Sequence, residues 1–274
     1  MKNLIVMKKF ITTTLFFLFL TLMHGQTAEE YFVNGSRKIL LNDYQGAIDE
    51  GTRAIELNPN YGDAYKLRGN SKFVLKDYQG AIIDLTKAIE LNPNDEVAYS
   101  SRGVSKSLLN DYQGAIIDLS KALELNPVNS QNYKHRGNFR FIIKDYQGAI
   151  ADITKAIESN PDDKFLYYTR GLTKKILSDY RGAVKDCTKA TELDPYYTDA
   201  YSIRGTSKFL LKDYRGGLLD IDKAIEINPK GDYFSTRGLM KIDLKDKDSA
   251  CMDFSRSGEL GESNAYDYIK QYCN

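Results

Sequence analysis

Residues 61–93 read YGDAYKLRGNSKFVLKDYQGAIIDLTKAIELNP. Ala64, Leu67, Ser71, Val74 and Leu75 recur at helical spacing, and Ile82, Leu85, Ala88, Ile89 and Leu91 do so again beyond Lys76 and Asp77. Apolar side chains three and four apart fall on one face of a helix, so the stretch predicts two helices. Asp77 is placed to accept hydrogen bonds from the free amides that open the second helix. Asn92 and Pro93 end it, because a proline disfavours helical backbone in the residue before it. The joint is short, so the two helices run antiparallel.

The same phrase recurs along the chain. Pro59, Pro93, Pro127, Pro161, Pro195 and Pro229 are all the prolines present, each 34 residues from the next. Residues 28–59 carry a version with Tyr31, Gly35, Tyr44 and Ala47. The last copy loses one residue between Pro229 and Arg237, has Lys247 in place of the turn tyrosine, and lacks a closing proline. A fixed period of this length marks a stack of supersecondary units rather than one globular core. About seven helix pairs are predicted.

Antiparallel pairing brings Tyr65 opposite Ala88, Gly69 opposite Leu85 and Lys72 opposite Ala81, a large side chain against a small one at each level. The Ala81 slot holds Ala47, Ala115, Ala149, Ala183, Gly217 and Ala250 in the other copies, and the Gly69 slot holds Gly35, Gly103, Gly137, Gly171, Gly205 and Gly238. A glycine inside a helix costs about 1 kcal/mol against alanine. Close helix packing would compensate for it; recent duplication of an idle residue is the alternative.

Arg68, Arg102, Arg136, Arg170, Arg204 and Arg237 each precede by 16 residues an aspartate, namely Asp84, Asp118, Asp152, Asp186, Asp220 and Asp253. Across this turn, that separation sets the two at one height. Lys72, one helical turn from Arg68, can join the same carboxylate. The column reads as paired charges within repeats, with an exposed basic binding stripe as the competing reading.

Tyr65, Arg68, Gly69, Lys72, Ala81, Leu85, Ala88 and Pro93 occur in the order and phase of the 34-residue tetratricopeptide repeat, which this sequence resembles from residue 28 to about 260. Arg68 and Lys72 depart from it, standing where that pattern has Leu and Tyr. The resemblance implies an all-α fold, a right-handed solenoid of antiparallel helix pairs over residues 26–262. It also implies that helix positions 2, 5, 9, 12 and 13 of each repeat line a concave groove. Lys66, Asn70, Phe73, Lys134, Asn138, Phe141, Tyr168, Leu172, Lys175 and Phe209 hold such positions and are the candidate partner-binding residues. Their mixed chemistry argues against close kinship with members of the family that grip a C-terminal carboxylate through a dedicated basic pocket.

A solenoid's last unit needs a cover for its apolar face. Residues 263–274 are expected to supply it as a helix capped by Ser263, with Ala265, Tyr268, Ile269 and Tyr272 on one stripe. Docked antiparallel, that helix would bring Cys273 level with Cys251, predicting a disulfide between them, while Cys187 fills the Leu85 slot as a buried thiol.

Composition narrows the function. The 38 basic and 37 acidic residues nearly cancel, so no strong field recruits nucleic acid. Lys2, Lys8 and Lys9 precede an apolar run from Phe10 to Met23, followed by Gly25. Residues 1–25 therefore read as a secretory signal peptide cleaved before Gln26, with retention as a short anchor the other outcome. The mature chain is expected to be periplasmic or secreted, with no stable membrane insertion. Histidine occurs only at His24 and His135, and phosphate-loop, dinucleotide-loop and zinc-helix motifs are absent. Acidic residues recur in every repeat, whereas a catalytic site needs one convergent place. The expectation is a non-catalytic scaffold, without cofactor or metal, that binds a protein or peptide. The alternative is an envelope carbohydrate- or peptidoglycan-binding module using groove aromatics.

Overall fold

The computed structural model describes residues 26–273. The expected signal peptide lies outside the described residues. Among them are fifteen α-helices and no strand, paired consecutively as the repeat predicts. They fall into two compact units that divide between Asn110 and Asp111, in the turn of the third repeat. The first unit holds α1 (Ala28–Leu40), α2 (Tyr44–Leu57), α3 (Gly62–Val74), α4 (Tyr78–Leu91) and α5 (Glu96–Ser107). The second holds α6 (Tyr112–Leu125), α7 (Ser130–Ile142), α8 (Tyr146–Ser159), α9 (Lys164–Ile176), α10 (Tyr180–Leu193), α11 (Thr198–Leu210), α12 (Tyr214–Ile227), α13 (Gly231–Asp243), α14 (Lys247–Glu259) and α15 (Ala265–Tyr268).

The turn inside each repeat is built from two residues. Asp77 Oδ1 accepts the Gly80 amide at 2.9 Å, capping α4, while the Asp77 amide donates back to the Lys72 carbonyl at 2.9 Å. One aspartate thus closes the end of the first helix and opens the second. The residue before it takes left-handed backbone: φ is 59° to 69° at Asn42, Lys76, Asn110, Lys144, Ser178, Lys212 and Lys245. Side-chain-bearing residues pay about 1–2 kcal/mol there, and glycine's looser unfolded chain offsets part of that gain. Lys144→Gly is accordingly expected to stabilise the protein by about 0.5–1 kcal/mol. A urea midpoint unchanged or lowered by this substitution would count against the turn geometry.

The helices of a pair touch through the small-residue slots. Ala47, Ala81, Ala115, Ala149, Ala183 and Ala250 are fully buried. A Cβ at Gly69 would come within 3.0 Å of Leu85 Cγ, the pairing expected from the sequence. In the sixth repeat the neighbour is backbone, and a Cβ on Gly205 would sit 2.8 Å from the Gly217 carbonyl oxygen. Close packing therefore accounts for these glycines.

The two ends of the chain are finished differently. Where later first helices bury Ala64, Leu67 and Ser71, α1 presents Glu30, Val33 and Arg37 to solvent. A capping box, in which Thr27 and Glu30 bond each other's backbone amides, opens this helix. At the other end the expected cap is shorter than a helix from Ser263. Its ordered part is the single turn of α15, preceded by Asn264 without a side-chain capping bond, and then a π-helical turn over Ile269–Cys273. Phe254, fully buried, meets the Tyr268 ring at 5.2 Å and the Tyr272 ring at 6.1 Å. Cys251 and Cys273 are joined as a disulfide with Cα atoms 5.8 Å apart.

Candidate functional site

Within each unit the first helices of successive repeats approach one another: α1 meets α3 and α3 meets α5, and likewise α7, α9, α11 and α13. In each unit they form a layer on which its groove positions lie.

The basic column is occupied internally. Arg68, Arg136, Arg170, Arg204 and Arg237 each bond both oxygens of the aspartate 16 residues on, at 2.6–3.0 Å. Lys72, Arg140, Lys174, Lys208 and Lys241 join the same carboxylates at 2.7–2.8 Å. Bidentate guanidinium–carboxylate geometry is the strongest of such pairings. These residues are thereby committed to holding repeats together. A third contact was not legible from charge: the remaining guanidinium nitrogen donates to a hydroxyl in the preceding repeat, as Arg68 to Thr52, Arg102 to Thr86, Arg136 to Ser120 and Arg170 to Thr154, at 2.9–3.2 Å.

The ten candidate groove residues divide by environment. In the first unit Lys66 bonds Asp95 at 2.6 Å and Asp63 at 2.9 Å. Burial opposes its charge, but these two carboxylates outweigh that and hold the ammonium above the usual lysine value. Asn70 beside it is half-buried. Phe73 packs its ring 5.7 Å from Tyr78, against the cluster of Ala81, Leu85 and Ile89. In the second unit Lys134 bonds Asp163 at 2.7 Å, Asn138 is half-buried, and Phe141 meets Tyr146 edge-on at 5.8 Å. Phe209 departs from the expectation. It is only 8% exposed and belongs to a core with Ile221 and Tyr233, because the turn tyrosine Tyr214 lies over it at 4.9 Å. Phe209 is a packing residue and its ring is not available to a partner.

Tyr168, Leu172 and Lys175 lie on the same face of α9, all half-buried. Around Tyr168 the structure assembles aromatics that sequence reading did not single out. Tyr197 is 5.1 Å from Tyr168 and 5.5 Å from Phe165, whose ring is 52% exposed. Lys164 lies 5.1 Å and 5.5 Å from the Phe165 and Tyr197 ring centroids and bonds Asp194 at 2.5 Å. One signal was available: Asp194 replaces the Asn that ends second helices at Asn58, Asn92, Asn126, Asn160 and Asn228. Burial, then Tyr168, raises the Tyr197 phenol above its ordinary value. Tyr233, filling a slot that is alanine in several repeats, donates its hydroxyl proton to Asp199 and accepts from the Thr198 hydroxyl on α11. The result is a tyrosine-rich ledge with one open ring and fixed polar neighbours.

Cys187 is fully buried, and its thiol is pushed up to about 12, first by burial. It is held as a neutral packing group. His135 is half-buried against Phe139 and bonded to Gln131, and burial lowers its value. Among the described residues, no group of three or more His, Cys, Asp or Glu is placed to hold a metal ion. No described helix is long and apolar enough to cross a membrane.

Comparison with known proteins agrees with this architecture. Residues 62–95 match one family model described as Tetratricopeptide repeat, and residues 97–129 and 166–197 match a second with the same description. No curated protein matches the chain. Among solved structures, the C-terminal part of a TPR repeat-containing protein from Cytophaga hutchinsonii is similar with a TM-score of 0.70 at 18% identity, covering 86% of this chain and 98% of that one. A tetratricopeptide repeat protein from Parabacteroides merdae gives 0.61 at 20% identity, covering 91% and 100%. YrrB, described as a TPR protein with an unusual peptide-binding site, gives 0.63 at 22% identity, covering 71% and 97%. At these identities the likeness is one of fold.

Proposed function

From the premise that this chain carries tetratricopeptide repeats, we propose that it is a non-catalytic scaffold that holds a peptide or protein segment on its layer of first helices. The observation that carries this reading is the ledge of Phe165, Tyr168 and Tyr197 on α9 and the connection after α10. Aromatic side chains that are rigid, amphipathic and partly open are the usual anchors of a protein interface. The likeness to YrrB, a structure with a peptide-binding site, supports the same use of the fold. The carbohydrate reading draws less support, since Phe73, Phe141 and Phe209 each lean on a neighbouring tyrosine at an angle rather than offering a flat platform.

The compartment belongs to the proposal too. The charged start and apolar run before Gly25 support a bacterial exported protein, and a disulfide at Cys251 suits an oxidising compartment. A photo-crosslinking residue placed at Leu172, in protein expressed in its own host, tests the reading against the same residue at Lys189 on α10. Partners trapped from Leu172 and not from Lys189 are expected; equal capture from both would remove the groove from the function. Intact-mass measurement of the same protein checks that the chain begins at Gln26, and a retained Phe10–Met23 segment would sink export by cleavage.

A further inference from the structure

Lys175 is the one groove candidate whose place packing does not explain. It occupies the slot filled by Phe73, Phe141 and Phe209 in other repeats, where the ring leans on the turn tyrosine. A lysine stem can fill that volume, but it brings an ammonium into a half-buried position. Among the described residues, no hydrogen bond or ion pair reaches this ammonium. Asp186, on the facing helix α10, is committed to Arg170 and Lys174, and Asp163, Asp194 and Asp199, toward the other end of α9, are committed to Lys134, Lys164 and Lys230. Burial, the leading influence, holds the Lys175 ammonium below the usual lysine value, and the one titratable neighbour acting on it is the Cys187 thiol. That thiol is neutral at ordinary pH and supplies no counter-charge.

A cation drawn partly out of water without a carboxylate costs free energy. Lys72, Arg140, Lys174, Lys208 and Lys241 each hold a carboxylate of their own repeat, so the uncompensated charge on the groove side at Lys175 stands apart from them. An incoming carboxylate would recover the cost, and it would do so beside apolar surface.

We propose that Lys175 anchors an acidic side chain of the bound peptide, with a neighbouring apolar side chain of that peptide seated on Leu172 and Tyr168. The assignment rests on the groove reading above and specifies the chemistry of its occupant. Spacing fixes the motif. Lys175 and Leu172 are neighbours on one helix face, about 5–6 Å apart, and alternate residues of an extended peptide are about 6.6 Å apart. An Asp or Glu two residues from a Leu, Ile or Phe meets both positions.

The probe is a random peptide library displayed on phage and selected against the full oxidised chain, with selected peptides then measured by calorimetry on variants. Enrichment of an acidic residue two positions from an apolar one is expected. Such peptides should bind Lys175→Glu at least about tenfold more weakly, the loss of a charge-assisted contact, and Lys175→Arg nearly as well as wild type. Peptides without acidic preference, or bound by Lys175→Glu as tightly as by wild type yet lost on Tyr168→Ala, would overturn the role of Lys175 and leave the groove standing. Failure to enrich any peptide, or binding that survives both Tyr168→Ala and Leu172→Ala, would overturn both.

Discussion

Phe254→Ala is expected to destabilise the protein by about 3–5 kcal/mol, the cost of removing a large ring from a closed core. The ring is fully buried, and a Cβ placed on Gly238 would lie 2.5 Å from its Cε1, so nothing beneath can move up to fill the space. On its outer side it is the surface on which Tyr268 and Tyr272 rest. Four residues of helix have no stability of their own, so the terminal segment depends on this contact and on the disulfide, whose 22-residue separation contributes about 3 kcal/mol by restricting the unfolded chain. Tyr266→Ala is the control, because its side chain is 71% exposed and a change there should stay within about 0.5 kcal/mol. Urea unfolding of the oxidised variants reads both. Equal midpoints for the two would show that the segment is not seated on Phe254.

The second large effect is expected at Asp152→Ala. Its carboxylate accepts both nitrogens of Arg136, at 2.9 and 2.7 Å, and Arg140 at 2.8 Å, and it is almost completely buried. Removing it leaves two cations between helices with no counter-charge, for which about 3–5 kcal/mol is the usual cost. Lys144→Ala, at an exposed turn, should change stability by less than about 1 kcal/mol. Asp152→Asn should fall between, since it keeps the shape and an acceptor. Matching denaturation midpoints for Asp152→Ala and Lys144→Ala would mean that the charges are solvated and free to serve as a binding stripe.

The repeat was legible because its signals are local and repeated: the proline beat, the capping aspartates such as Asp77, and the interval from Arg68 to Asp84 each follow from helix geometry within one unit. What escaped depends on neighbours distant along the chain. The hydroxyl of Thr52 carries no charge and lies in the preceding repeat, so nothing at Arg68 pointed to it. Phe209 looked like its counterparts Phe73 and Phe141, yet its cover is closer, and Tyr233 joins that core in a slot that is Ala64 or Ala98 elsewhere. The single deletion before Arg237 was visible, but its effect on Tyr233 was not. At the C-terminus the apolar stripe of Ala265, Tyr268 and Tyr272 was recognised, whereas the π-helical turn over Ile269–Cys273 has no local signal in that stripe. Lys175 was readable only as a groove residue, because its lack of a counter-charge is a property of the assembled layer.

The arginines that bond two repeats at once set how the chain comes apart. Arg68 holds Asp84 in its own repeat and Thr52 in the one before, so the first repeat is sewn to the second from one side only. Its own equivalent positions are Asn34 and Glu50, and Glu50 leaves an oxygen buried without a hydrogen-bond partner. In a linear array, opening spreads from the units with the weakest coupling to a neighbour. The Cys251–Cys273 disulfide ties the last long helix, α14, to the segment that covers it, so a local opening there keeps the cover attached and re-closing needs no search, a covalent memory that no other described repeat has.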